Sequence, residues 1–300
     1  MKWANKLEST LSRFAFTPAS PVPLEILRIL VSAVLLAQAF LVAPDFFELY
    51  GSQGIFQGPL QVFFSNDTAP GVVSVVRWLG PLGLTEKQSL GLVGVLYVTG
   101  LSFLLLGIAT RTAAVLTWFT HLLLVGTHFT SYGVDQFAHF LLFYFTWMPV
   151  GGSGRPSALA GFSIRMLQLH LCLVYFSSGI DKSFGDQWWS GEAIWRALSM
   201  PIYVQADMSW ISSMPFVAKL TAWGTLLVEI GYPLFIWMPK TKMLWVVTTI
   251  AMHAGIGIFM GLHTFSFLMA SLTFSMFGIS SLAKETTEYK FPTQLRAIIS

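Results

Sequence analysis

Cysteine is nearly absent: Cys172 stands alone among 300 residues. One thiol cannot build an internal disulfide framework, a CxxC redox pair or a cysteine zinc site. Charge is scarce as well, at 10% Asp, Glu, Lys and Arg, and the formal net charge of +3 is spread thinly. There is no polybasic block, so nucleic acid is not an expected partner. No internal repeat is visible, which argues against an inverted-repeat transporter. What fills the chain is apolar: 54% hydrophobic, 15% aromatic, mean hydropathy +0.66. Apolar runs of roughly 18 to 24 residues recur, and about 20 are needed to cross the hydrocarbon of a bilayer as a helix. The expected fold class is an all-α polytopic membrane protein, with about eight transmembrane helices plus interfacial helices.

The segments are expected at 23–43, 89–109, 112–129, 136–150, 164–180, 216–238, 243–262 and 264–279. Residues 1–22 read as a cytoplasmic lead, 23–280 as the transmembrane domain and 281–300 as a cytoplasmic tail. A cleaved signal peptide is the rival reading of the start, since Ala37-Gln38-Ala39 mimics a cleavage site, but the apolar run exceeds the usual length of such signals. The stretch 44–87 is a long mixed connection. GGSGRPSALAG, 151–161, is the clearest linker. Residues 181–214 should form short Trp-rich helices at the interface. If the start of the chain is cytoplasmic, Lys2, Lys6, Arg13, Arg111, Arg155, Arg165, Lys240, Lys242, Lys284, Lys290 and Arg296 lie inside. They outnumber Arg77, Lys87, Lys182, Arg196 and Lys219 outside. That bias favours eight spans in the cytoplasmic membrane with both termini inside, and it places Lys182 on the outer face.

The chain is organised around LVYFSSGIDKSFGDQWWSGEAIW, Leu173 to Trp195. Tyr175, Gly179 and Lys182 fall at i, i+4 and i+7, one face of a continuous helix. Asp181, Asp186, Trp188 and Trp189 surround the lysine in sequence. A boundary lysine is ordinarily a snorkelling anchor, but anchors concentrate on the cytoplasmic side. Ionisable groups inside spans are costly and mark candidate sites. Asp135 and His139 are i, i+4 at the outer end of the fourth segment. His128 and His263 lie on the same side, His121, Glu229 and His253 nearer mid-membrane, and His170 and Arg28 towards the inner side. Each has a structural alternative: a membrane histidine commonly hydrogen-bonds a neighbouring helix, and Glu229 has Arg28 or His253 as possible partners.

YFSSGIDKSFGDQWWSG resembles the Tyr-Phe-x-x-Gly-x-x-Lys…Trp…Gly segment of the vitamin K-dependent γ-carboxylase-like family, whose membrane core is the HTTM domain. YGSQGI resembles the turn after that family's first helix. EIGYPLFIWMPK and MHAGIGIFMGLHTFSFLMASLTF resemble its Glu-x-x-x-Pro and His…Phe blocks, and Asp135-Gln136 its polar start of the fourth helix. The resemblance spans about residues 20 to 280. It implies Lys182 as the base that deprotonates a reduced naphthoquinone (vitamin K or menaquinol), with oxygen and carbon dioxide as co-reactants. Asp181 stands where the animal enzyme has a second lysine. Glu229, His253 and His139 are the further catalytic candidates; the animal enzyme uses a histidine in the region of His139 or His128. Tyr175, Asp135, Trp188, Trp189 and Arg28 are candidates for holding quinone or substrate. The family's large lumenal domain has no counterpart here. A substrate would therefore be recognised by the membrane core, by the connections or by a partner.

Three functional classes follow. The first is quinol-coupled epoxidation and carboxylation-type chemistry on a peptide or small substrate at the outer face, drawing its quinol from the membrane lipid. The second is a non-carboxylating membrane protein for maturation of, or immunity to, a secreted peptide toxin; small bacterial members of the family resemble such a component. The third is a haem or quinol electron carrier using histidines such as His121 and His128, since axial ligation needs two from facing helices. Asp135, His139, Glu229 and His253 have metal-ligand chemistry, but no tight spacing supports a metal.

Overall fold

The structure is a computed structural model that describes residues 2–54, 70–125, 133–151, 154–203 and 205–279, with side chains from Glu8 onward. His128, most of the loop before Asp135 and the 281–300 tail lie outside the described residues.

The helices, in chain order, are α1 (Lys2–Phe16), α2 (Val22–Val42), α3 (Phe46–Tyr50), α4 (Val72–Leu79), α5 (Glu86–Leu106), α6 (Thr110–Val125) and α7 (Gly133–Phe145). They continue with α8 (Ala158–Ser183), α9 (Asp186–Ser190), α10 (Glu192–Ser199), α11 (Pro215–Phe235), α12 (Lys242–Met260) and α13 (His263–Thr273). Among the described residues no strand forms; a single bridge joins Ala19 and Ser157. Four stretches are long and apolar enough to cross a membrane: Val22–Tyr50, Glu86–Leu106, Ala158–Ser183 and Lys242–Met260. The chain is thus an all-helical membrane protein. The other expected segments are helical over part of their length among the described residues: α6, α7 and α13 are 16, 13 and 11 residues long, and α7 stops at Phe145, short of the expected end at 150. α11 has 21 residues and carries both Lys219 and Glu229.

Two boundaries differ from the sequence reading. The linker ends early, because Ser157 caps α8 by accepting a hydrogen bond from the Ala160 amide at 3.1 Å. A capping serine satisfies an amide that the first helical turn leaves open. At the other end, α8 runs on to Ser183, so Lys182 sits in its last turn.

The chain divides into two compact units, 24–155 and the pair of stretches 1–23 and 156–300. In the first, Leu27, Val31, Leu101, Leu104, Ala114, Leu142 and Phe145 form a fully shielded core. Arg28 is buried there, and its guanidinium donates to the carbonyls of Val150 (2.7 Å), Leu105 (3.1 Å) and Leu104. It thereby closes the carbonyl end of α5, groups that a helix terminus otherwise leaves unpaired. In the second unit α8 packs against α11, with Tyr232, Ile236, Phe277 and Ala222 in the core. Pro233 lies within α11.

Candidate functional site

The contact between α8 and α11 is set by a bare spot. A Cβ on Gly179 would lie 2.8 Å from Ile230 Cγ1 and 2.9 Å from both Glu229 Cβ and the Ile230 amide. Only glycine permits this approach, and it brings the next turn of α8 over Glu229. Lys182 Nζ donates to Glu229 Oε1 at 2.9 Å and Oε2 at 2.8 Å, and to Ser178 Oγ at 2.5 Å. The lysine side chain is 24% exposed and the glutamate 7%. Glu229 is therefore the carboxylate that holds Lys182. Asp181 and Asp186, its neighbours in sequence, are exposed.

One turn further into the unit the same two faces meet again. Tyr175 stacks on Tyr232, ring centroids 4.3 Å apart. The pairs 182/229, 179/230 and 175/232 run in opposite directions along the chain, so α8 and α11 are antiparallel. The Tyr175 hydroxyl and His253 Nε2, from α12, are 2.8 Å apart. His253 is buried, Phe265 stands edge-on to its ring at 5.3 Å, and its Nδ1 has no hydrogen-bond partner among the described residues. The predicted helical face of Tyr175, Gly179 and Lys182 is thus present, and it gathers Glu229 and His253 around it.

The Trp-rich segment closes over the amine. Trp188 lies with its ring centroid 5.4 Å from Lys182 Nζ, within the range of cation–π attraction. Trp189 is half exposed; its indole donates to the Ser183 carbonyl at 2.7 Å, and its own carbonyl accepts from the Trp223 indole at 3.1 Å. Gly191 makes the turn between α9 and α10 at φ +88°, where a Cβ would also sit 2.6 Å from the Lys219 amide. Both facts demand glycine there.

Arg28, Asp135 and His139, the remaining site candidates, belong to the 24–155 unit. The guanidinium of Arg28 is spent on helix-end carbonyls, and Glu229 pairs with Lys182, neither with Arg28 nor with His253. His139 stacks on His121, with the two Nδ1 atoms 3.4 Å apart, and Trp118 stacks on the other side of His139 at 5.5 Å. At that spacing one imidazole nitrogen donates a hydrogen bond to the other. Asp135 lies in the first turn of α7 and lines a cavity with His121. Among the described residues no group of three His, Cys, Asp or Glu side chains is placed to hold a metal ion.

Sequence reasoning missed Ser178, Tyr232 and Thr273, whose hydroxyl is 3.4 Å from that of Tyr232. Ser178 had a signal, at i−4 from Lys182. Tyr232 had one too, at i+3 from Glu229 and so on the same face of α11.

No family model and no solved structure matches the chain. Among curated proteins it is similar to "Uncharacterized protein YitO" of Bacillus subtilis (strain 168). The two are 24% identical over 211 residues, 64% of this chain and 68% of that protein.

Proposed function

We propose that the chain is a γ-carboxylase-like membrane enzyme that couples a reduced naphthoquinone to proton removal from a peptide or small substrate, with Lys182 as base. In this reading the helices make eight spans, both termini are cytoplasmic and the site faces outside. The observation that supports it most is the pair of Lys182 with Glu229. A base must be able to lose its own proton first. Nζ lies 2.8 Å from Oε2, so the proton crosses one hydrogen bond without heavy-atom movement. Ammonium with carboxylate and amine with carboxylic acid are two forms of one coupled pair.

Once uncharged, the amine accepts a proton from a hydroxyl group. Ser178 and the Trp188 face then hold the ammonium in place. The Tyr175–His253 pair is suited to passing a proton, since imidazole both donates and accepts. Trp188, Trp189 and Tyr175 offer the flat surfaces that would hold an aromatic ring. When bound, the reduced naphthoquinone with oxygen would supply the strong base that takes a proton from the substrate carbon, and carbon dioxide would supply the carboxyl group. The test is purified protein with reduced menaquinone, oxygen and labelled carbon dioxide, scoring quinone epoxide and carboxylated product. Lys182→Ala should lose activity by about 100-fold or more, the range of a positioned acid–base group. Wild-type turnover by an inserted, folded Lys182→Ala protein would end the assignment.

A second reading, maturation of or immunity to a secreted peptide without carboxylation, is favoured by one feature. The Lys182 side chain stays 24% exposed beside Glu229, so a peptide carboxylate arriving from solvent meets a positive charge there. It requires that no quinone epoxide accumulates while Lys182→Ala still abolishes maturation of, or protection from, a co-expressed secreted peptide.

A further inference from the structure

A cavity of about 430 Å³ lies wholly within the 24–155 unit. It plays no part in the reading around Lys182. Pockets for small molecules fall in the range of about 300–1,000 Å³. Four aromatic rings line it: Phe46, Phe47, Tyr50 and Tyr97. Phe46 stands nearly perpendicular to Phe47, at 79° and 5.4 Å, and lies tilted against Tyr50 at 5.0 Å. Their faces therefore look in different directions, as the walls of a cage do. The space is kept by Gly94, where a Cβ would sit 3.4 Å from the Phe46 ring. One formally charged side chain lines the cavity, Asp135, and no lysine or arginine does. Tyr50 and Tyr97 both lie within electrostatic reach of that carboxylate. His121, buried, completes the polar end. Apart from Gln38 and Thr99, the rest of the wall is aliphatic, chiefly from α2, α5 and α6.

Aromatic faces attract cations through the ring quadrupole, and a carboxylate adds direct charge complementarity. The same carboxylate repels a fatty-acid or phosphate head. Phe47 already receives one ammonium, the Nζ of Lys87, 5.2 Å from its centroid. We propose that this cavity binds an organic cation, an ammonium group carried on an apolar chain. Two sources share that chemistry: an amino-phospholipid headgroup and a free lipophilic amine.

The test titrates the full-length protein in dodecyl maltoside with three twelve-carbon probes: dodecyltrimethylammonium, 1-dodecanol and dodecanoate. The expected order is ammonium tightest, by about tenfold over the alcohol, with the carboxylate weakest. Asp135→Asn should shrink the ammonium's lead over the alcohol to the share the aromatic faces supply, Gly94→Leu should remove binding of all three, and Lys182→Ala should change none of them. Equal binding of ammonium and alcohol by the wild type would overturn the proposal, showing a merely apolar cavity. So would an ammonium preference as large in Asp135→Asn as in the wild type. The wild-type series decides even where a variant fails to fold. Native mass spectrometry separates the sources: release of co-purified phosphatidylethanolamine by the ammonium probe identifies the headgroup, and binding without release identifies a free amine.

Discussion

Lys182 and Glu229 are worth more as a couple than either is alone. Removing one member of a withdrawn ion pair leaves the other charge uncompensated, whereas removing both leaves only shape to fill. Lys182→Met alone is expected to lower stability by about 2–4 kcal/mol, somewhat below the fully buried range because the amine retains contact with solvent. The double variant Lys182→Met/Glu229→Leu is expected to recover to within about 1 kcal/mol of the wild type. Thermal unfolding of the four proteins in detergent measures this. Additive losses in the double variant would show that the two side chains do not depend on each other. The same cycle separates fold from chemistry, because the double variant keeps the helix contact and lacks any base.

At the level of helices, Gly179 decides how close α8 comes to α11. Gly179→Leu places a side chain where Ile230 and Glu229 already stand, and overpacking of this kind costs about 1–3 kcal/mol. The expected result is a lower unfolding temperature together with loss of whatever activity Lys182 supports, since the amine is lifted away from Glu229. Full activity in that variant would disconnect the helix contact from the site. The helical face of Tyr175, Gly179 and Lys182 was legible in the sequence, because spacing alone fixes it. Glu229 and His253 were legible as costly groups inside apolar segments. Their partners were not: which carboxylate meets which amine depends on contacts between helices far apart in the chain, and both Arg28 and the neighbouring aspartates competed on paper. The early start of α8 was hidden by the glycine and proline around it, although Ser157 carried the capping signal. The helices α3 and α4 were concealed by the mixed composition of 44–87.

For the whole molecule, the distribution of lysine and arginine makes a directional statement. Ser190 follows Lys182 closely and is exposed, and Arg155 is exposed before α8. Cys172 is buried and is the sole native thiol. In a Cys172→Ala background, Ser190→Cys should react with a membrane-impermeant maleimide in intact cells. Arg155→Cys should react only after the cells are opened. The reverse pattern would put the Lys182 face in the cytoplasm and exclude chemistry on a secreted substrate from that side.

Pro233 stands four residues after Glu229 in α11, and a proline has no amide hydrogen to return to the carbonyl one turn back. The rung that would stiffen the helix at Glu229 is missing. The backbone oxygen of the acid that neutralises Lys182 is thereby left for some other donor, such as water or a guest molecule. A stretch of α11 otherwise held by Tyr232 thus lacks one backbone rung beside the carboxylate that receives the Lys182 proton.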